Sequence, residues 1–301
     1  MFLKNFWLKL TNNHDYLNKR NIQIREKIIL KFRKLHEKEL ISIREKIKSK
    51  KELNFLHSGH AADIINVLPV VKKLSEKHEC NFFINVNKPI KKYFKHPAGK
   101  YYLNDKIFKM IFPLLENQSY LKKVERYTNQ NIDINFDLLR SLPINLLFDN
   151  VTYASVLTGV NPNYQETFLE ADNHKEKKNK IIIQRTFRYR NDLINYHFLN
   201  NYNDLFFVGT YEEYNDLKNI VKNLNFYECE DFLDMASIVK SSKFVLANSS
   251  ITFPIAEGLQ VPRLLESCPA FPAAQPHGAN AFSFFFQSHF EEKFKFLADK
   301  N

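Results

Sequence analysis

The sequence predicts a two-domain α/β protein, with a parallel sheet in each half, preceded by a basic helical N-terminal extension. Three observations predict it. A strand–turn–helix–strand alternation begins at Leu53, the same alternation restarts at Lys180, and a polar run without apolar anchors, 172–179, separates them. The 301 residues suffice for two domains, and the 44% hydrophobic content suffices for packed cores. The expected divisions are 1–51 for the extension, 52–172 and 180–281 for the two halves, and 282–301 for a closing helix.

The formal net charge is +11, yet residues 1–52 alone carry 15 Lys and Arg against 6 Asp and Glu. The rest of the chain holds 29 against 27 and is close to neutral, which argues against a nucleic-acid-binding body. Within the extension, Ile24, Ile28, Phe32 and Leu35 recur at helical spacing, with Lys31, Arg33, Lys34 and Lys38 on other faces. Three readings are open for residues 1–50. They form an amphipathic helix packed on the body or on another copy, a foot on an anionic membrane surface, or a nucleic-acid-binding arm. In the membrane reading Phe2, Phe6, Trp7 and Leu10 enter the interface. Lys4, Asn5 and Lys9 break up the first ten residues, so a signal-peptide core is not expected, and no apolar run is long enough to span a bilayer. Cys80, Cys229 and Cys268 are odd in number, far apart and without metal-ligand spacing, which suits a reducing compartment. A cytoplasmic protein, peripheral at the inner membrane face, is the expectation.

In the first half, Leu53–Leu56 is a strand, His57-Ser58-Gly59-His60 a turn, and Ile64, Val67, Leu68, Val71 and Leu74 the apolar face of a helix. Pro69 lies inside that helix and predicts a kink or a restart. Asn81–Val86 supplies a second strand, and the βαβ unit so formed implies a parallel sheet. Further strands are expected at 122–127 and 134–138. In the second half, strands are expected at 180–184, 204–209, 226–227, 243–246 and 263–266. Helices fall at 212–221, at 231–239 with Asp231 as cap, and around 253–259. The loop 269–278, with three prolines, has no regular structure and places His277 near the cleft. Phe282–Leu297 reads as a helix that covers a sheet edge or crosses back to the first half.

Three segments are suited to chemistry. The turn Ser58-Gly59-His60-Ala61-Ala62-Asp63 follows a strand and opens a helix, the edge at which doubly wound sheets bind ligands. Asp63 there is either a helix-start carboxylate or a general base. Arg185, Arg188 and Arg190 follow the first strand of the second half; arginine forks suit phosphate oxygens, and a solvated surface run is the alternative. Asn248-Ser249-Ser250 follows another strand and is either a phosphate-binding turn or a helix N-cap.

The run Gly59-His60-Ala61-Ala62-Asp63-Ile64-Ile65-Asn66-Val67-Leu68-Pro69 resembles the N-terminal motif of the heptosyltransferase-like family of GT-B glycosyltransferases (glycosyltransferase family 9), in which an aspartate precedes a Leu-Pro pair. Ala62 stands where the family has a glycine. The resemblance covers roughly residues 53–280 and implies a GT-B-like fold with an acceptor half followed by a donor half. It implies a metal-independent transfer of sugar from a nucleotide-sugar donor to a hydroxyl of a cell-envelope glycan or lipid-linked acceptor. Asp63, with His60 beside it, takes the catalytic position. Arg185 and Arg188 take the donor diphosphate, with Asn248, Ser249 and Ser250 in the donor turn and Glu257 on the ribose hydroxyls. Asn248, Ser250 and Phe253 depart from the family's aspartate, glycine and histidine. No Asp-x-Asp metal motif occurs, no resident cofactor is expected, and the nucleotide sugar is a substrate. A nucleotide-sugar epimerase or hydrolase on the same fold, and a non-catalytic module held by its basic tail, are the rival readings.

Overall fold

The computed structural model describes residues 2–90, 98–143, 149–175 and 178–300, with backbone alone for 2–5. The Phe2 side chain of the membrane reading, and Glu176 and Lys177 of the polar run, lie outside the described residues.

The extension is three helices, α1 (Phe2–Thr11), α2 (Asn13–Leu35) and α3 (Glu37–Ser49). Asn12 caps α2 by accepting from the Asp15 N–H at 3.1 Å. Helix α3 is anchored to the body: Ile43 is buried, and Lys46 Nζ donates to the Asp133 carbonyl at 3.2 Å. Lys50 pairs with the buried Asp133 carboxylate at 2.5 Å.

The first sheet is parallel, in the order β3-β2-β1-β4, with β1 Glu52–His57, β2 Glu79–Ile84, β3 Lys123–Arg126 and β4 Ile134–Asn135. Alternation sends Leu53 and Phe55 of β1, and Cys80, Phe82 and Ile84 of β2, into the core. There Phe55 stacks on Phe136 at 5.7 Å. Between β1 and β2 runs α4 (Ala61–Ser75), and between β2 and β3 runs α5 (Asp105–Glu116). Helix α4 continues through Pro69 and does not restart there. Its face of Ile64, Ile65, Leu68 and Val71 is fully buried, and that packing outweighs one missing backbone bond. The expected strand 134–138 is shorter: Phe136–Ser141 turns into a 3-10 segment, followed by α6 (Tyr153–Thr158).

The second sheet is also parallel, in the order β10-β9-β8-β5-β6-β7. Its strands are β5 Ile181–Gln184, β6 Leu205–Val208, β7 Asn225–Tyr227, β8 Phe244–Ala247, β9 Arg263–Glu266 and β10 Ala281–Phe284. In chain order this is the doubly wound 3-2-1-4-5-6 arrangement. The helices are α7 (Tyr211–Lys218), α8 (Phe232–Lys240), α9 (Thr252–Leu259) and α10 (Gln287–Asp299). Asp231 caps α8 by accepting from the Leu233 and Asp234 N–H groups at 2.7 and 2.8 Å. The single helix expected over 282–297 is corrected to β10 followed by α10. Alternating Phe282 and Phe284 extend the sheet beside β9, and the helix starts only at Gln287. Helix α10 stays on the second sheet, with Phe290 stacked 4.2 Å from Phe284 and Phe294 against Phe244 at 5.0 Å.

The two sheets meet through packed helices, α4 against α9 and α5 against α8, and one apolar cluster joins residues of both. The Phe168 and Leu169 N–H groups both donate to the Gly258 carbonyl, at 2.8 and 2.9 Å. A Cβ on Gly258 would lie 2.5 Å from Leu169 Cγ and 2.9 Å from Phe168. Gly258→Ala is therefore expected to cost about 1–3 kcal/mol by overpacking this seam, measured as a lowered urea midpoint; an unchanged midpoint would show that the seam yields.

Candidate functional site

Each sheet reverses its strand order once in the middle, between β1 and β4 in the first and between β5 and β8 in the second. In doubly wound sheets ligands bind outside the carboxyl ends of the strands at such points. The segments singled out in the sequence lie at these two edges.

At the first edge, Asp137 ties the turn after β1 to the turn after β4. Its Oδ1 accepts from the Ser58 N–H at 3.0 Å and from Arg140 Nη1 at 2.9 Å. Its Oδ2 accepts from the Ser58 hydroxyl and from Lys88 Nζ, the latter at 2.6 Å. The other arm of Arg140, Nη2, reaches Asp63 Oδ2 at 2.8 Å, and the His60 N–H donates to the same oxygen at 3.2 Å. Arg140 lies 4.8 Å over the Tyr102 ring, whose edge contact with His60 is 5.5 Å. A Cβ on Gly59 would overlap Arg140 and His57 and sit 2.8 Å from Asp63 Oδ2, so a larger residue would displace the side chains gathered around Asp63. The Asp63 side chain remains 42% exposed, so a ligand can reach it.

Burial raises the pKa of Asp63, but Arg140 and then His60 and His57 pull it the other way, and the net shift is downward. The carboxylate is held ionised. His60 is lowered by burial first, with Arg188 of the second half adding to the effect. His57 is lowered from 6.5 to about 4, by burial and then by Arg140, and its Nδ1 accepts from the Gly59 N–H at 2.7 Å. Between these two values the unfolded chain binds the extra proton, so stability is full above about pH 6.5 and is lost as pH falls towards 4. The expected loss from His57 alone is about 3 kcal/mol. Urea midpoints measured across this range check it; a flat profile would refute it.

At the second edge, Asn248 clamps the Thr186 backbone. Its Oδ1 accepts from the Thr186 N–H at 3.1 Å and its Nδ2 donates to the Thr186 carbonyl at 2.9 Å. Gln184 Oε1 accepts from the Thr252 N–H and hydroxyl at 3.0 and 2.6 Å, fixing the start of α9 to β5. The Ser250 hydroxyl is buried against the Asn248 carbonyl at 3.2 Å, while Ser249 is partly exposed. Asn248 and Ser250 thus hold the turn's shape.

Arg185 does not point at the cleft. Its Nε and Nη2 donate to the two oxygens of Glu266 at 2.8 and 2.9 Å, and its guanidinium lies 4.4 Å over the Tyr196 ring. The fork expected on a phosphate is used on a buried carboxylate. Arg190 pairs with Asp216 at 2.6 Å. Arg188 is the exposed member of the three and rests 4.5 Å over the Tyr189 ring. Glu257 is likewise turned inward: Arg263 pairs with it, and the His277 N–H donates to its Oε2 at 3.1 Å. The expected ribose contact from Glu257 is therefore replaced by a buried pair beneath α9. His277 bonds Asp149 Oδ2 at 2.7 Å, which raises its pKa and links the proline-rich loop to the segment before α6.

Across the cleft, Arg188 acts electrostatically on His60, and Asp63 on Tyr189. The turn after β5 therefore lies within electrostatic reach of the turn after β1. Arg140, Asp137, Lys88 and Tyr102 were not singled out from the sequence; an Asp-x-x-Arg directly after a strand at the order reversal was the available signal. Among the described residues, no group of three or more His, Cys, Asp or Glu is placed to hold a metal ion. A groove of about 580 Å³ on the first sheet, lined by Glu52, Asn54, Asn81 and Lys123 among others, does not include Asp63.

No protein-family model matches the chain, and no curated protein matches it by sequence. Among solved structures it is similar to a glycosyl transferase family 9 protein from Veillonella parvula DSM 2008, with TM-score 0.51 and 10% identity, covering 83% of this chain and 89% of that one. It is similar to the E. coli heptosyltransferase WaaC with ADP, at TM-score 0.50 and 9% identity, over 82% of this chain and 98% of that one. It is also similar to TibC, an iron-containing dodecameric glycosyltransferase of enterotoxigenic E. coli H10407, at TM-score 0.50 and 9% identity. That likeness covers 78% of this chain and 62% of TibC. At such identities the likeness establishes the fold: GT-B-like, two Rossmann-like sheets facing a cleft behind a helical extension.

Proposed function

We propose that this protein is a glycosyltransferase that moves a sugar from a nucleotide-sugar donor to a hydroxyl acceptor, with Asp63 as general base and Arg188 on the donor diphosphate. One observation carries the reading. At the edge where the first sheet reverses its strand order, Arg140 holds the Asp63 carboxylate at 2.8 Å while leaving it 42% exposed, and the exposed Arg188 follows β5 at the corresponding edge of the second sheet. Opposite charges placed across a cleft suit a reaction that takes a proton on one side and leaves an anion on the other.

In this scheme the acceptor oxygen bonds the anomeric carbon while the bond from that carbon to the diphosphate oxygen breaks. Asp63 takes the hydroxyl proton, and the diphosphate departs with the electron pair. Arg140 keeps Asp63 oriented and charged through its 2.8 Å contact. Arg188 and the Ser249 hydroxyl offset the negative charge of the leaving group. His60 is disfavoured from carrying charge by burial and by Arg188, so it serves as a neutral hydrogen-bonding partner at the reacting centre. The likeness in fold to glycosyltransferase structures supports this reading, as does the sequence motif around Asp63. A cell-envelope glycan or a lipid-linked sugar is the acceptor class, and no resident metal or cofactor is part of the scheme.

Thermal melting with UDP-, GDP-, ADP- and CMP-linked sugars tests the donor side. One of them is expected to raise the melting temperature and to release its nucleotide when an acceptor is supplied. Arg188→Ala is expected to weaken that donor's affinity about tenfold or more while leaving the melting temperature of the free protein unchanged. If none of the four classes shifts the melting curve, the transferase reading fails. Conversion of a donor to an isomeric sugar without any acceptor would establish the epimerase in its place.

A further inference from the structure

We propose that α1 and α2 form an arm that docks on an anionic lipid surface, lying along it rather than crossing it. Where α3 is anchored by Ile43, Lys46 and Lys50, α2 buries none of its 23 residues. Along one side of α2 run Leu17, Ile24, Ile28 and Leu35, spaced seven, four and seven apart, and 45%, 44%, 40% and 55% exposed. At 100° per residue these four share one stripe, and Phe32, Ile29 and Ile22 extend it round one side. Arg20, Lys27, Lys31 and Lys34 line the other flank of the stripe, whereas the two acidic residues, Asp15 and Glu26, fall on the back of the helix. Helix α1 adds Phe6, Trp7 and Leu10, at 56%, 68% and 70% exposure.

Residues 2–35 hold nine Lys and Arg against two Asp and Glu. That charge pattern selects the occupant. A second copy meeting along the stripe would set Arg20, Lys27, Lys31 and Lys34 against the same row in an antiparallel pair, or against the apolar flank of Ile22, Ile29 and Phe32 in a parallel one, and in neither case against an acidic residue, since Asp15 and Glu26 lie at the back. An anionic lipid headgroup layer pairs with the same row, while the apolar stripe and Trp7 enter the interface and the long basic side chains reach up to the phosphates. No helix among the described residues is long and apolar enough to cross a membrane, so the contact is one of lying on the surface. Helix α2 would provide about 35 Å of contact length.

Trp7 is the chain's single tryptophan, so its emission reports on the arm alone. The full chain is mixed with vesicles of phosphatidylcholine and with vesicles of phosphatidylcholine plus phosphatidylglycerol. With the second, Trp7 emission is expected to shift to the blue, and the protein to co-sediment at least about tenfold more strongly than with the first. Added salt weakens the binding. The triple variant R20E/K27E/K34E is expected to keep the wild-type melting temperature, since none of the three is buried, and to lose roughly a hundredfold or more in vesicle affinity. Three outcomes overturn the proposal: equal behaviour with both vesicle types, an arm-dependent dimer in light scattering without vesicle binding, or binding to duplex oligonucleotides in place of vesicles. None of these readouts depends on sugar transfer.

Discussion

Asp63→Asn is expected to lower kcat by about 10²- to 10⁴-fold, the range over which a positioned base contributes, with little change in donor affinity. Asparagine keeps the size of the side chain and an oxygen for the His60 N–H, so the start of α4 is preserved. What it removes is the proton acceptor and the charge that Arg140 faces at 2.8 Å. Arg140 sets a second expectation. Because the net shift of the Asp63 carboxyl is below the ordinary carboxylate value, the base is ionised throughout the neutral range. The wild-type rate should then show no acid limb from Asp63 near neutrality. The comparison needs single-turnover rates and donor titrations of both proteins. A variant that transfers sugar as fast as the wild type would remove Asp63 from the mechanism.

The largest expected loss of stability is at Arg185. Arg185→Met leaves the Glu266 carboxylate, 0% exposed, without its counter-charge and with only the Tyr196 hydroxyl at 2.6 Å and the Asn191 N–H at 2.7 Å. Removing one member of such a buried pair costs about 3–5 kcal/mol. Urea unfolding of the variant measures the loss. The double variant Arg185→Met, Glu266→Gln should recover part of it, because no charge is then stranded. Nucleotide-sugar affinity of the folded protein should change little. The opposite pattern, with stability retained and donor binding lost, would return Arg185 to the phosphate.

This contrast shows where sequence reasoning reached its limit. The strands with dense β-branched or aromatic content, such as Ile181–Gln184 and Phe244–Ala247, were legible because a strand buried on both faces has to be apolar throughout. The turn at Ser58–Asp63 was legible because strand, small residues and helix follow one another directly. Helix α5 is not among the expected elements, although Ile107, Ile111, Leu114 and Leu115 carry helical spacing and Pro113 falls only in its last turn. Strand β10 is hard to separate from α10 in the sequence, because the phenylalanines of 282–296 serve both elements. Which arginine faces the cleft was not legible. Arg185 and Arg188 are three residues apart in the same loop, and only the position of Glu266, 81 residues beyond Arg185, decides which one turns inward. The same holds for Glu257, whose partner Arg263 belongs to the next strand. Arg140 reaches Asp63 across 77 residues of chain, a distance no local motif records.

The apolar cluster shared by the two sheets bears on how a substrate could be gripped. Because Phe232, Met235 and Ile255 belong to the same continuous core as Leu68, Ile111 and Leu115, swinging the halves wide apart would wet surfaces that are now dry. Any closure around a ligand is expected to be a shear of α5 along α8 and of α4 along α9 rather than a wide hinge. A core shared in this way couples the two halves, so a single cooperative unfolding transition is expected for both.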